Sequence, residues 1–161
     1  MNSLEALALM HVRALPRRWD QPAPGDWADV LATFPLFAGI GKRRLRKLAR
    51  SATLAEFAPG ETIFFAGDRG DSLCIILGGE AKTIKPADRR FRTGDYFGEL
   101  AVISGRPRSA TVVAASDVHL MKLPACRVLK LARRHSAIPL TMLKSLTTRL
   151  RQLEAEGTRA A

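Results

Sequence analysis

Two cysteines, three histidines and one tyrosine are all that 161 residues supply, and each scarcity removes a class of protein. Cys74 and Cys126 lack the close spacing of a zinc ribbon or a dithiol redox motif, and two cysteines cannot staple a small secreted scaffold. They read as two buried structural thiols in a reducing compartment. His11, His119 and His135 are scattered and are expected to be structural or exposed, which leaves no His/Asp cluster for a metal-dependent hydrolase. Asp68 and Asp71 lie in a glycine-rich turn with too few oxygen ligands for calcium, and are expected to satisfy local backbone donors. Ser104 and Ser109 have no evident His–Asp partners. No run approaches the ~18 apolar residues of a membrane span. The stretch Leu4 to Leu9 is broken by Glu5 and has no basic leader, so it is a poor signal peptide. A soluble, cytoplasmic protein without catalytic apparatus is expected.

Acids are the rarer charge: 15 against 26 Lys and Arg, a net +11. Lys42, Arg43, Arg44, Arg46, Lys47 and Arg50 crowd one segment with no acid between Ala38 and Ala55, and eight further cations between Val118 and Leu153 also lack one. Such charge fits nucleic acid or an anionic surface, but no aromatic residue interleaves with the basic ones, as a single-strand platform would need. Solvated helix faces are the simpler reading.

At 47% hydrophobic residues the chain can fill one ordinary core. Residues 4–15 fit a short amphipathic helix, followed by a linker carrying Pro16, Pro22, Pro24 and Gly25. Asp26 signals a helix start, and a second helix is expected from Gly41 to Arg50. From Thr53 short strand-like runs alternate with turns: Thr53–Phe57, Thr62–Phe65, Leu73–Leu77, Ala81–Lys85, Thr111–Ala114 and Val118–Leu123. This rhythm predicts an antiparallel sandwich or barrel, with a jelly roll among the candidates. Helices return at Ala125–Arg134 and after Ser136, with Pro139 in the first turn. Leu143, Leu146, Leu150 and Leu153 form one apolar seam, expected to pack on the sheets and too short for a coiled coil.

The most informative stretch runs from Gly94-Asp95-Tyr96-Phe97-Gly98-Glu99-Leu100-Ala101 to Arg106-Pro107-Arg108-Ser109-Ala110-Thr111. A short helical turn near Leu100–Ile103 would present free N–H groups, which suit a phosphate oxygen. Arg108 can return to the same pocket with a planar fork of donors. A carboxylate beside a phosphate would repel it, and accepting a hydrogen bond from a ribose hydroxyl explains Glu99 well. Small residues at Gly98, Ser109 and Ala110 let the backbone approach a ligand. The alternative is a structural Arg108–Glu99 ion pair in a roll without ligand.

This stretch resembles the phosphate-binding cassette of cyclic-nucleotide-binding domains, as found in the catabolite activator protein, the regulatory subunits of cAMP-dependent protein kinase and cyclic-nucleotide-gated channels. Pro35-Leu36-Phe37, Pro59-Gly60-Glu61, Gly67-Asp68-Arg69-Gly70-Asp71 and Ile75-Ile76-Leu77-Gly78-Gly79-Glu80 extend the likeness over roughly residues 30–155. The resemblance implies an α+β fold: an antiparallel eight-stranded β-roll (double-stranded β-helix or jelly roll) between N-terminal helices and two C-terminal helices. It divides the chain into an extension and linker over 1–26, the binding domain over 27–156 and a flexible tail over 157–161. It further implies that Arg108 binds the cyclic phosphate and Glu99 the ribose 2′-hydroxyl. Gly98, Leu100, Ala101, Ser109 and Ala110 would complete the cradle, and Thr147, Thr148, Arg149 and Arg151 are candidate lid contacts. The ligand expected is cAMP, alternatively cGMP, with no other cofactor and no metal. A separate protein effector and a monomer or weak homodimer are expected. No DNA-binding domain is visible, although a piece of a catabolite-activator-type regulator or of a channel would carry its output elsewhere.

Overall fold

Proline opens the first helix. In the computed structural model, which describes residues 24–84 and 88–159, α1 spans Pro24–Ala32. It starts ahead of the Asp26 signal because the missing proline N–H is no loss in a first turn. The helix expected over 4–15 and the linker up to residue 23 lie outside the described residues. A 3-10 turn, Pro35–Phe37, buries Leu36 and Phe37. Helix α2, Lys42–Ala49, buries Leu45, Leu48 and Ala49 and leaves its cations exposed.

Eight strands follow among the described residues: β1 Thr53–Phe57, β2 Thr62–Phe64, β3 Ser72–Gly78, β4 Glu80–Ile84, β5 Arg90–Arg92, β6 Tyr96–Phe97, β7 Thr111–Ala114 and β8 Val118–Pro124. They form two four-stranded sheets, in the orders β1-β8-β3-β6 and β2-β7-β4-β5, and every pairing is antiparallel. The short helix α3, Glu99–Ser104, sits between β6 and β7. Helices α4, Ala125–Ala132, and α5, Ala137–Arg159, end the described chain. Thus α5 continues through residues 157–159, where a tail was expected.

Strand β3 shows how the core is divided. Successive side chains of a strand point to opposite faces, so Leu73, Ile75 and Leu77 join Leu31, Phe37, Leu45, Val128 and Met142 beneath the helices. Cys74 and Ile76 instead join Ile63, Phe91, Phe97, Val112 and Leu120 between the sheets. A strand buried on both faces reads as a continuous apolar run. Among the described residues, no helix is long and apolar enough to cross a membrane.

Two expectations are corrected. Two of the seam leucines do not pack on the sheets: Leu143 and Leu150 are 58% and 57% exposed, while Leu146 is partly buried. Ile138 and Met142, one turn apart at the start of α5, are the residues that enter the core. Cys74 is buried as expected, but Cys126, on α4, is exposed, and both thiols are free.

Candidate functional site

The site is built around the corner where β6 becomes α3. Gly98 makes that corner with a φ of 84°, and it caps the helix. A side chain there would be strained by the backbone and would run into the Arg108 guanidinium. The first backbone bond of α3 joins Val102 N–H to Gly98 O at 3.3 Å. The amides of Glu99, Leu100 and Ala101 precede it and have no acceptor within the helix.

Arg108 is held from several sides and is only 5% exposed. Its Nη1 donates to Gly98 O at 3.2 Å, and its Nη2 donates to Ser72 O at 2.8 Å and Ser72 Oγ at 3.1 Å. Asp71 lies 4.0 Å away, and the guanidinium stacks 4.3 Å over the Phe64 ring. Its backbone is clamped as well. Arg108 N–H donates to Asp68 O at 2.8 Å and Gly67 N–H to Arg108 O at 2.9 Å, while the Asp68 carboxylate accepts from Phe65 N–H at 2.8 Å. The glycine- and aspartate-rich turn therefore aims the arginine.

Glu99 is 1% exposed and forms an ion pair with Arg149 of α5. The Arg108–Glu99 pair weighed from sequence is not formed; each has another partner. Burial, and then the nearby positive charge of Arg89, lowers the Arg149 guanidinium to about 10, so it stays protonated at neutral pH. Tyr96 donates to Thr141 O at 3.4 Å, a second tie between the β6 corner and α5.

Gly98, Glu99, Arg108 and Arg149 help line a cavity of about 250 Å3. Gly98, Glu99, Leu100, Ala101, Arg108, Ser109 and Ala110 all border it, and of the four lid candidates Arg149 does too. Thr147 and Thr148 turn their hydroxyls back to Lys144 O at 2.9 and 3.0 Å, and Arg151 is exposed. Sequence reasoning missed the rest of the lining: Phe64, Thr83, Arg89, Phe91, Phe97 and Val112. Arg89 lies over the Phe91 ring at 4.9 Å, and its N–H donates to Thr83 Oγ1 at 2.8 Å. The cavity thus combines an aromatic and aliphatic wall with one buried carboxylate and guanidinium groups, a combination suited to a small anion with an apolar body.

The family model for the cyclic nucleotide-binding domain matches residues 54–135. A cAMP-dependent protein kinase regulatory subunit from Hypocrea atroviridis is 32% identical over 99 residues, covering 60% of this chain and 21% of that protein. A cyclic nucleotide-gated potassium channel from Mesorhizobium japonicum is 35% identical over 98 residues, 61% of this chain and 27% of the channel. This chain therefore spans well under two thirds of the curated relatives it matches. Among solved structures, the regulatory domain of Toxoplasma gondii PKA with cAMP superposes with a TM-score of 0.67 at 25% identity, over 77% of this chain and 50% of that one. With the matched residues running from Leu54 in β1 through β8, the cassette corner and α4, the chain belongs to the cyclic nucleotide-binding domain family.

Proposed function

We propose that this chain is a cyclic-nucleotide sensor that binds cAMP, alternatively cGMP, and passes the binding on as a change in the position of α5. The observation that carries the reading is the buried, fully oriented Arg108 beside the first turn of α3, with Glu99 on the same cavity. In this reading the Arg108 fork and the amides of Leu100 and Ala101 hold the cyclic phosphate, Glu99 accepts the ribose 2′-hydroxyl, and Gly98, Ser109 and Ala110 leave the backbone open to the ligand. The cavity, at about 250 Å3, sits just below the ~300–1,000 Å3 common for small-molecule sites; it suits one nucleotide, not a polymer. A kinase regulatory subunit among the relatives and a cAMP-bound structural neighbour favour cAMP.

The strand orders of the two sheets are read as a β-roll, with the binding domain over 27–156. No role is assigned to a nucleophile or general base, so the reading is of a regulatory binder, not an enzyme. The nucleotide must favour one arrangement of α5 over another, since equal affinity for both shifts nothing. Arg149 is the lid residue in this scheme, and a separate protein effector reads the result. A second reading, a piece of a channel or transcription regulator, rests on the small share of each relative that this chain covers.

Isothermal titration of the full chain with cAMP and with cGMP tests the proposal, alongside melting curves. At a ligand concentration about 100-fold above Kd, binding adds ~2.7 kcal/mol, or roughly 5–10 °C in melting temperature. No heat and no shift with either nucleotide at millimolar concentration would overturn the sensor reading.

A further inference from the structure

On the helical side of the molecule a groove of about 530 Å3 lies between α2 and α4. Its walls carry Arg43, Arg44 and Lys47 from α2 and Arg127, Lys130 and Arg134 from the α4 end, and Leu48 and Leu131 contribute its apolar lining. All six cations are exposed, and among the described residues none of them forms an ion pair. Like charges three and four apart destabilise a helix, so the fold gains nothing from collecting these on facing walls. We propose that this groove docks an acidic protein segment that presents an apolar stripe between its carboxylates.

The chemistry and shape select that occupant. Six cations around an apolar trough focus a positive potential and steer an acidic partner to it. A second copy of this chain is a poor occupant, because it also carries +11 and is repelled. Duplex DNA is read by an element that enters its groove, whereas here the protein is the concave partner. Single-stranded nucleic acid needs stacking aromatics, and the groove has none in its lining. A flat anionic membrane meets protruding faces, not a trough.

The probes are a fluorescein-labelled synthetic peptide with glutamates and a leucine every third or fourth residue, and its Leu→Ser counterpart. Anisotropy is measured with the full chain, with the groove variant K47E/K130E, with the milder K47Q/K130Q, and with R69E/K144E, which reverses two exposed charges elsewhere. Binding to the leucine peptide is expected to weaken about tenfold or more in K47E/K130E and by less than about threefold in R69E/K144E. The Leu→Ser peptide is expected to bind more weakly, and added salt to weaken both. K47Q/K130Q, folded by circular dichroism, is expected to fall between wild type and the reversal. Equal loss in the groove and control variants would reduce the effect to net charge and overturn the proposal. So would absence of peptide binding, or tighter binding of duplex DNA or of phosphatidylserine-containing vesicles than of the peptide.

Discussion

Arg149 of α5 pairs with Glu99, the first residue of α3, and both side chains are largely withdrawn from water, at 13% and 1% exposure. Together with the Tyr96–Thr141 hydrogen bond, this contact ties the last helix to the cavity corner. Breaking a buried pair from one side leaves a stranded charge and costs more than replacing both partners. Arg149→Ala is therefore expected to destabilise the protein by about 3 kcal/mol, measured by urea unfolding. Arg149→Met combined with Glu99→Gln should lose less than the sum of the two single changes. Additive losses would mean that the two side chains are not energetically coupled.

Arg108 gives a different pattern because its partners are mostly carbonyls. Arg108→Ala removes the donors to Gly98 O, Ser72 O and Ser72 Oγ, so the protein without ligand should itself lose roughly 1–3 kcal/mol. Arg108→Lys keeps a charge but not the fork, and under the proposed function it should weaken nucleotide binding about tenfold. Gly98→Ala should act like Arg108→Ala on binding, since its methyl pushes the guanidinium aside. Normal titration heats from Arg108→Ala would show that the phosphate is held elsewhere.

The two thiols should separate cleanly. Cys126 is exposed and Cys74 buried, so a thiol reagent is expected to label one site fast and the other only on unfolding. Burial pushes the Cys74 thiol from 9.0 up to about 11. The native state therefore holds this proton more tightly than the unfolded chain does. Its contribution to stability is whole below pH 9 and is lost as pH climbs towards 11, by an amount on the order of 3 kcal/mol. Urea midpoints between pH 8 and 11 for wild type and Cys74→Ala check this; the same slope in both would assign the loss to other groups.

How much of this was legible in the sequence follows from range along the chain. The cassette lies between residues 98 and 110 on one continuous segment, and Gly98 to Ala110 could be assembled from spacing and family likeness. Ser72, Phe64, Thr83 and Arg89 reach the same site from other strands, and nothing local in their sequence marks them. Strands Thr53–Phe57 and Thr111–Ala114 match their expected bounds, whereas β5 and β6 span three and two residues. Those are too short to show a period of two, and their pairing depends on Ala81 and Cys74 far upstream. The leucine spacing of α5 announced a helix correctly, yet periodicity names an apolar face without saying whether anything covers it.

That helix carries the last prediction. Ile138 and Met142 anchor its first turns in the core, while Leu143 and Leu150 stay exposed. Beyond Met142 the contacts that tie it down among the described residues include the Ser145–Tyr96 hydrogen bond, the Arg149–Glu99 pair and a partly buried face that carries Leu146. Elements with few buried contacts open most readily, so amides over 144–155 should exchange faster than those of β3 around Ile75 and β7 around Val112. Removing everything after Ser145 keeps Met142 and should leave the sheets folded, whereas a cut after Leu140 removes a core residue and should unfold more than the helix. If nucleotide acts through α5, cAMP should slow exchange over 144–155 in the full chain, and the chain cut after Ser145 should bind cAMP more weakly. Exchange over 144–155 as slow as in β3, and unchanged by cAMP, would sink the lid and leave the helices before β1 to carry the signal.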